Sequence, residues 1–456
     1  MKTVVAKFGG SSLCKSGVET VINRVHKANR ENHKLIIVVS AIQRTTNNLL
    51  RIVNHDTSSL QQIINEHVAF ADELGIDKKH MNITLGKLFD LVTQYNEDPS
   101  IDITQHKINI ISYGEILSSI IISELLKSRN IRAYLINARQ FIKSVNNHDM
   151  IDPFNLTIKG QFYCNTIMLN CLTDKQDSNI YVTQGFIAST ADARFCILSR
   201  SGSDTSASII ASGIRAKQLE IWTDVNGMFT ADPNMISSAK LIRTIGYDVC
   251  QEMSTSGSRV LHPYCIDPCK KEHIPIHVNN TFDPDGDNTI VNGFKDDINK
   301  VYAISTQNNV TVFHIKSDDM WEGCGLVHDI YKVFKEYNID VNIITTSPFA
   351  IKTTTEEISR EKLDAVKIKL SLQYEVDMIN NCSIVSIVAK DIFDFPGIEK
   401  ANGFINILGR NHLHIKHNSA NNMNVSFVVD SVITKQLVQM LHKEYIENLI
   451  GDDSTN

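Results

Sequence analysis

Two short, mainly apolar and β-branched runs, TVVAKF at 3–8 and LIIVVS at 35–40, set the tightest limit on what this chain can become. Neither alternates polar with apolar residues. A strand built from either has no face to give to water and belongs in a sheet covered on both sides. Each run ends in small residues, Gly9-Gly10-Ser11-Ser12 and Ser40-Ala41, and the spacing of Val18, Val21, Ile22 and Val25 predicts a helix over Val18–Asn29. The plan then repeats. A strand is predicted ahead of Tyr113-Gly114-Glu115 within INIISYGEILSSIIISELLKSRN (108–130), followed by an apolar helix. Further strands are IRAYLI (131–136), IYVTQGFIA (180–188), EIWTDV (220–225) and, last in the series, IPIHVNNT (274–281). Such alternation over about 290 residues predicts one large α/β domain with a mostly parallel sheet. Residues 55–107 read as a polar helical layer with few chemical signals.

The length of 456 residues allows roughly three domains, each with its own core. An apolar share of 42% and a charged share of 21% describe an ordinary globular chain. The formal net charge of −6 argues against broad nucleic-acid binding. No apolar run approaches the roughly 18 residues of a membrane span. The N-terminal apolar run is short and interrupted by Lys7, unlike a signal peptide, so the expected compartment is the cytoplasm. Nine cysteines, odd in number and without framework spacing, fit that compartment. Cys265 and Cys269 have no second pair to complete a zinc site, and no protein-held metal is expected.

Chemistry concentrates in Leu198–Asn234. A small polar loop bracketed by Arg200 and Asp204 leads into a helix, TSASIIASGIRA, with Ser203 and Asp204 suited to its N-terminus. The strand EIWTDV then ends at Asp224, ahead of an Asn226-Gly227 turn. Strand, small loop and helix N-terminus make a place where an anion is welcome. Lys7, at the end of the first strand beside Gly9-Gly10, can reach the same place. Each piece alone also has a plain reading: a capping Asp with a surface Arg, a solvated lysine beside a turn, or Glu115 at a helix N-terminus complementing the dipole. The glycine loop lacks the Gly-Lys-Ser/Thr that closes a Walker A motif.

The last third carries an internal repeat. Asn309–Phe313 matches Ser383–Ile387 at an offset of 383 − 309 = 74. At the same offset Ile330, Val333 and Phe334 match Phe404, Ile407 and Leu408 at helical spacing, and Ile339 and Val341 match Leu413 and Ile415 at strand spacing. Each copy reads strand–helix–strand. The intervening Thr353–Lys367 reads as a charged helical linker, and Asp283–Asp287 as a boundary loop.

Taken in order, these pieces resemble the aspartokinase family over nearly the whole chain. Lys7-Phe8-Gly9-Gly10-Ser11-Ser12, Ser40-Ala41 with Thr46-Asn47, Gly114-Glu115, Gly185-Phe186, Arg200 through Asp204, Trp222-Thr223-Asp224-Val225 and Val260-Leu261-His262-Pro263 follow the family's order. The look is closest to the kinase half of bifunctional aspartokinase–homoserine dehydrogenases, with no G-x-G-x-x-G of a dehydrogenase. The repeat resembles the family's paired ACT domains. The resemblance implies an amino-acid-kinase-type αβα sandwich over residues 1–298, followed by two ACT-like, ferredoxin-like α+β domains at 299–378 and 379–456, whose boundaries can interleave. It implies ATP-dependent phosphorylation of the L-aspartate side-chain carboxylate to 4-phospho-L-aspartate, with Mg2+ bridging the ATP phosphates. By resemblance Lys7 and Asp204 are catalytic. Ser40, Thr46, Glu115, Phe186 and Arg200 hold the amino acid. Gly9, Gly10, Ser11, Ser203, Thr223, Asp224, Phe229 and Arg259 meet the nucleotide. Ser317, Met320, Gly325, Leu326, Val341 and Asn342 fall on the effector pattern, and association into homo-oligomers through the ACT-like part is expected.

The chain also departs from the pattern. Serines stand at 199 and 201 where glycine is usual, which crowds a close approach unless φ is negative. Phe229 replaces a tyrosine, Asn234 an arginine and Arg259 a lysine, all on the nucleotide side. Asn342 stands where lysine-inhibited members carry an aspartate, so lysine, threonine, another effector or none stay open. Two other functions remain in view: a kinase for a different small amino or carboxylic acid, and a catalytically weak ACT-domain amino-acid sensor.

Overall fold

The structure is a computed structural model and describes residues 1–56, 58–97, 102–146, 151, 156, 161–174, 177–199, 201–258, 260–297, 300–316, 325–356, 358–391 and 417–448. From the N-terminus the chain forms β1 (Thr3–Phe8), α1 (Lys15–Arg30), β2 (Lys34–Val39), α2 (Thr45–Val53), α3 (Ser58–Leu74), α4 (Lys79–Glu97), α5 (Ile103–Ile111) and α6 (Tyr113–Ser128). There follow β3 (Tyr134–Ile136), α7 (Ala138–Phe141), β4 (Ile142–Ser144), β5 (Phe162–Cys164), α8 (Thr166–Thr173), β6 (Ile180–Gln184), β7 (Ile187–Ser189), β8 (Phe195–Ile197), α9 (Gly202–Gly213) and β9 (Gln218–Thr223). Next come β10 (Thr244–Gly246), α10 (Tyr247–Thr255), α11 (Pro263–Lys271), β11 (Ile276–Asn280) and β12 (Thr289–Asn292). The last third holds β13 (Val301–Lys316), α12 (Leu326–Glu336), β14 (Val341–Ser347), β15 (Ala350–Thr355), α13 (Arg360–Leu370), β16 (Glu375–Ala389), β17 (His417–Ala420), β18 (Asn424–Asp430) and α14 (Thr434–His442).

These elements divide into two compact units. The first comprises 1–228, 243–247 and 260–294, and the second 229–242, 248–259 and 295–456. The eight-stranded sheet of the first unit has the order β10-β12-β11-β9-β1-β2-β6-β3. Its pairings are parallel except between β11 and β12. Val4, Val5 and Ala6 of β1 and Leu35, Ile37, Val38 and Val39 of β2 are completely buried, as two-sided cover requires. Burying a Val, Leu or Ile side chain fully contributes about 1.5–3 kcal/mol, so these two strands anchor the sheet. A smaller sheet, β5-β4-β7-β8, lies beside it in the same unit.

Three sequence expectations change here. The segment expected as a strand at 108–112 is the end of helix α5. Asp102 caps that helix, accepting the Gln105 N–H at 3.1 Å, and Ile108, Ile110 and Ile111 are all buried. A short isoleucine run fits a buried helix as well as a strand, and the cap decided between them. IPIHVNNT is not the last strand of the series, because β12 returns antiparallel against β11. The helices α5 and α6 also join into a stretch of 26 residues, Ile103–Ser128, long and apolar enough to cross a membrane, where no such run was expected. Of its most apolar part 67% is buried inside the protein, so core packing accounts for the composition.

In the second unit the 74-residue offset holds well beyond the residues that revealed it. The first residues of β13 and β16 differ by 375 − 301 = 74, those of β15 and β18 by 424 − 350 = 74, and those of α13 and α14 by 434 − 360 = 74. The second-copy positions Phe404, Ile407, Leu408, Leu413 and Ile415 lie outside the described residues. Ile330 and Phe334 of the first copy are fully buried, as their spacing predicted. Thr353–Thr355, expected to open a helical linker, are instead the buried end of β15, and α13 begins only at Arg360.

The two copies share one six-stranded sheet, β14-β15-β13-β16-β18-β17. Its centre is the antiparallel pair β13 and β16, running from Val301 opposite Ala389 to Lys316 opposite Glu375. The second half of β13 (311–316) pairs with β15 and with the first half of β16. The first half of β13 (301–307) instead pairs with the second half of β16, which β18 flanks on its other side. Each long strand therefore serves both copies. The register slips between Gln307 and Val310, where the Ser383 hydroxyl donates to Asn308 Oδ1 at 3.1 Å. The expected division at 378/379 falls inside β16.

Candidate functional site

β1, β2, β6 and β9 are adjacent and parallel, and their registers put Phe8, Val39, Gln184 and Trp222 at one edge. The chain moves from β1 outward through β2, then returns to place β9 on the other side of β1. That reversal opens a crevice at the carboxyl ends of the strands, where α/β sheets take their ligands. The loops beyond these strands carry Gly9-Gly10, Ser40-Ala41, Gly185-Phe186 and Asp224.

Lys7 is nearly buried, and its Nζ meets Asp204 Oδ1 at 2.7 Å. Asp204 lies in the first turn of α9, so the pair ties the end of β1 to a helix N-terminus. The lysine curls back over Gly9, where an added Cβ would stand 3.4 Å from Nζ. Gly9 gives its own N–H to the Trp222 carbonyl at 3.1 Å, so what it offers the site is close approach and not a free donor. At Gly10 an added Cβ would lie 2.6 Å from the Ala41 carbonyl oxygen, and only glycine lets these two loops approach so closely. Ser12 closes the turn, its hydroxyl donating to the Trp222 carbonyl at 3.2 Å.

Glu115 stands in the first turn of α6 and is 3% exposed. Its Oε1 accepts the Ala41 N–H at 3.2 Å, while Oε2 is buried with no hydrogen-bond partner. Burial pushes its pKa up to about 8, against the smaller opposing effect of the backbone N–H groups. An unmet buried carboxyl oxygen is costly unless a cationic or donor group arrives to meet it. Ser118, one turn on, accepts the Ile42 N–H, which fixes the same loop.

The Gly185-Phe186 turn is fitted to the start of α9. A Cβ on Gly185 would collide with Ser203 at 2.5 Å, and one on Gly202 would meet the Phe186 ring at 2.6 Å. Phe186 adopts φ +65°, held by its N–H donating to the Ser206 hydroxyl at 3.0 Å. Ser201 caps α9 with φ +55° and makes no side-chain cap bond. The helix thus starts at Gly202, earlier than the Ser203 expected, and Ser201 holds a left-handed conformation where glycine would be unstrained. Thr223 donates to Asp224 Oδ1 at 3.2 Å, and Asp224 itself is exposed.

The structure brings Lys7, Gly9, Gly10, Ser11, Ser40, Glu115, Phe186, Ser203, Asp204, Thr223 and Asp224 to this one edge of the sheet. Thr46 is half-buried on α2. Its neighbour Thr45, which drew no attention in the sequence, is fully buried against Gly114 with its hydroxyl unmet. Arg200 and Arg259 lie outside the described residues. Phe229 falls in the second unit, where it forms a bridge with Leu241. Asn234 turns its side-chain amide and its N–H onto Asp232 Oδ1.

Of the effector residues, Ser317 and Met320 lie outside the described residues. Gly325 (φ +99°) and Leu326 open α12, whereas Val341 and Asn342 open β14, beyond the far end of that helix. A helix of that length spans roughly 16 Å, so one chain does not bring the two pairs together. Asn342 donates to Gln307 Oε1 at 3.2 Å.

The fold is that of the amino acid kinases. Residues 2–280 match the amino acid kinase family, and the chain belongs to that family. Its relatives over the full length are aspartokinases. The lysine-sensitive aspartokinase 3 of Escherichia coli is 24% identical, covering 97% of this chain and 99% of that protein. The chloroplastic aspartokinase 1 of Arabidopsis thaliana is 26% identical, covering 98% and 80%. Among solved structures, E. coli aspartokinase III with lysine and aspartate superposes with a TM-score of 0.79 at 24% identity, covering 98% of this chain and all of that one. Aspartate kinase from Clostridium acetobutylicum gives 0.75 at 23%. These likenesses bear out the expected architecture, an amino-acid-kinase α/β fold followed by ACT-like domains.

Proposed function

We propose that the chain transfers the γ-phosphoryl group of ATP to the side-chain carboxylate of L-aspartate. The acceptor oxygen forms a bond to phosphorus as the bond to ADP breaks, and no proton needs to move. The demand on the protein is to hold two anions together and spread the charge of the group in flight. The observation that carries this reading is the buried Lys7–Asp204 pair at the carboxyl end of β1. Asp204 fixes the ammonium as a point charge between donor and acceptor, where it counts most in the transition state. The unmet Glu115 Oε2 suits the amino group of the acceptor. Ser40, Thr46 and Phe186 shape its pocket, and Arg200 would take its α-carboxylate in a fork.

Gly10, Ser11, Ser203, Thr223, Asp224, Phe229 and Arg259 are proposed to meet the nucleotide. Mg2+ would be carried by the ATP phosphates. Among the described residues no three His, Cys, Asp or Glu groups converge to hold a metal, and Asp204 is committed to Lys7. E. coli aspartokinase III is known with aspartate and ADP, and also with lysine and aspartate. An amino-acid effector at the ACT-like domains, association of copies through those domains and a cytoplasmic location complete the proposal. Asn342 in place of an acidic residue leaves the identity of the effector to measurement.

The test is hydroxylamine trapping of the acyl phosphate. Aspartate-dependent hydroxamate is expected at saturating ATP, and its absence from folded protein would overturn the assignment.

A further inference from the structure

Gly9 and Gly10 have no side chains with which to fix the turn that follows β1, so its path must be imposed by its neighbours. Two donors from the turn meet at one acceptor. The Gly9 N–H at 3.1 Å and the Ser12 hydroxyl at 3.2 Å both reach the Trp222 carbonyl. The Ser12 hydroxyl has a single proton, and the carbonyl takes it. Its oxygen also lies 2.6 Å from Thr281 Oγ1, so in that contact Thr281 is the donor. A directed chain results, from the Thr281 hydroxyl through Ser12 to the carbonyl that holds Gly9. Ser12 and Thr281 are both buried.

Thr281 directly follows β11, outside the four strands whose ends carry the site. Its N–H donates to the Thr223 carbonyl at 2.8 Å, and its carbonyl accepts the Thr20 hydroxyl of α1 at 2.7 Å. Each polar group of Thr281 therefore holds a different element: the glycine turn, the end of β9 and α1. Gly17 lets α1 lie against this junction, since an added Cβ would stand 2.1 Å from the Ser12 carbonyl oxygen and 3.2 Å from the Thr281 methyl group. The preceding residue, Asn280, is paired with Thr223 across the strands. Its Oδ1 accepts the Phe282 N–H at 2.9 Å, which orients the amide, and its Nδ2 donates to Asn226 Oδ1 at 2.6 Å. Asn226 lies two residues past Asp224. All of these residues belong to the first compact unit.

We propose that Asn280 and Thr281 are positioning residues for phosphoryl transfer: Thr281 sets the glycine turn beside Lys7, and Asn280 sets the Thr223–Asn226 turn on the nucleotide side. The inference rests on the kinase reading above. Each residue acts through the backbone it holds. A glycine turn released from its anchor samples many conformations, and a misplacement of about 1 Å at a reacting centre costs up to about 10²-fold in rate.

The test compares Thr281→Val, Thr281→Ser, Ser12→Ala and Asn280→Ala in the full chain. As a control, Tyr181→Phe removes buried hydrogen bonds to the Thr173 and Ser178 carbonyls at the opposite ends of the strands. Thr281→Val should lower kcat about tenfold, the scale of one buried hydrogen bond, with both KM values within about twofold. Thr281→Ser keeps the donor and should behave as the parent. Thr281→Val added to Ser12→Ala should cost nothing further, because one chain of bonds is broken only once. Asn280→Ala should instead raise KM for ATP and Kd for ADP about fivefold, with kcat within about twofold. Tyr181→Phe should lower the melting temperature by about 2–4 °C and leave kcat and both KM values unchanged. An unchanged kcat in Thr281→Val would overturn the proposal, as would an unchanged KM for ATP in Asn280→Ala or the same kinetic change in both variants. If the parent shows no aspartate-dependent turnover, the kinase reading fails. The positioning is then decided by exchange of the Gly9 amide, expected about tenfold faster in Thr281→Val and unchanged in Tyr181→Phe; equal exchange in the two overturns it.

Discussion

The N–H of Ala41 binds one oxygen of Glu115 at 3.2 Å and leaves the other buried and unmet. With its pKa pushed up to about 8 by burial, the carboxyl group is mostly protonated at neutral pH until an ammonium group arrives. KM for aspartate should therefore fall as pH rises from 6.5 through about 8, while KM for ATP stays level; an aspartate KM flat across that range refutes the assignment. The sign for stability is opposite. A carboxyl whose pKa is raised in the folded state keeps its full contribution below the unfolded value of 4.5 and loses it as pH rises toward the folded value, by up to roughly 1.4 kcal/mol per pH unit. Glu115→Gln should thus raise the melting temperature relative to the parent at pH 8, with little change at pH 4.5, while weakening aspartate binding at both.

Asp204 meets the Lys7 ammonium at 2.7 Å and holds it in place. Asp204→Asn should keep the fold and lower kcat about 10²–10³-fold, the scale of losing one preorganised charge stabiliser. Lys7→Ala should lower it at least as far. Because the two act as a unit, the double variant should cost little more than Lys7→Ala alone, and additive losses in single-turnover assays would contradict the pairing.

Ser201 sits at φ +55° with no compensating cap bond. Ser201→Gly should stabilise the protein by about 0.5–1 kcal/mol, since relief of left-handed strain exceeds the added freedom of the unfolded chain. Thermal unfolding reads the change directly. A loss of stability would contradict this reading of Ser201.

Gly185→Ala would drive a methyl group into Ser203, 2.5 Å away, at the start of α9. A clash with the Cα and Cβ of a helix terminus has no flexible end to move, so a destabilisation of about 1–3 kcal/mol is expected. The aspartate KM should rise with it, because Phe186 follows directly. An unchanged melting temperature would show that the two turns are looser than their spacing implies.

Much of this was legible in the chain. Runs without a polar face, such as TVVAKF and LIIVVS, read as strands covered on both sides, and the small residues that end them agree. Lys7 and Asp204 were visible because strand ends and helix starts have recognisable composition. What was not legible depends on long-range geometry. The α5 segment carries an isoleucine run that suits either structure, and the Asp102 cap settles it. Thr45 and Thr46 are adjacent, and the face each takes is set by the left-handed Arg44 at the head of α2. The unusual state of Glu115 follows from total burial, which no local pattern announces. The loop 229–242 reads as turn residues in sequence, and only its partners 209 and 212 residues away reveal what holds it.

The halves of β13 and β16 are woven through both ACT-like copies, so neither copy owns a complete sheet. A fragment carrying either repeat alone would inherit a half-strand with no neighbour and lack one supplied by the other. The pair must then melt together, and recombination could pass it on only whole. A duplicated module here has become indivisible.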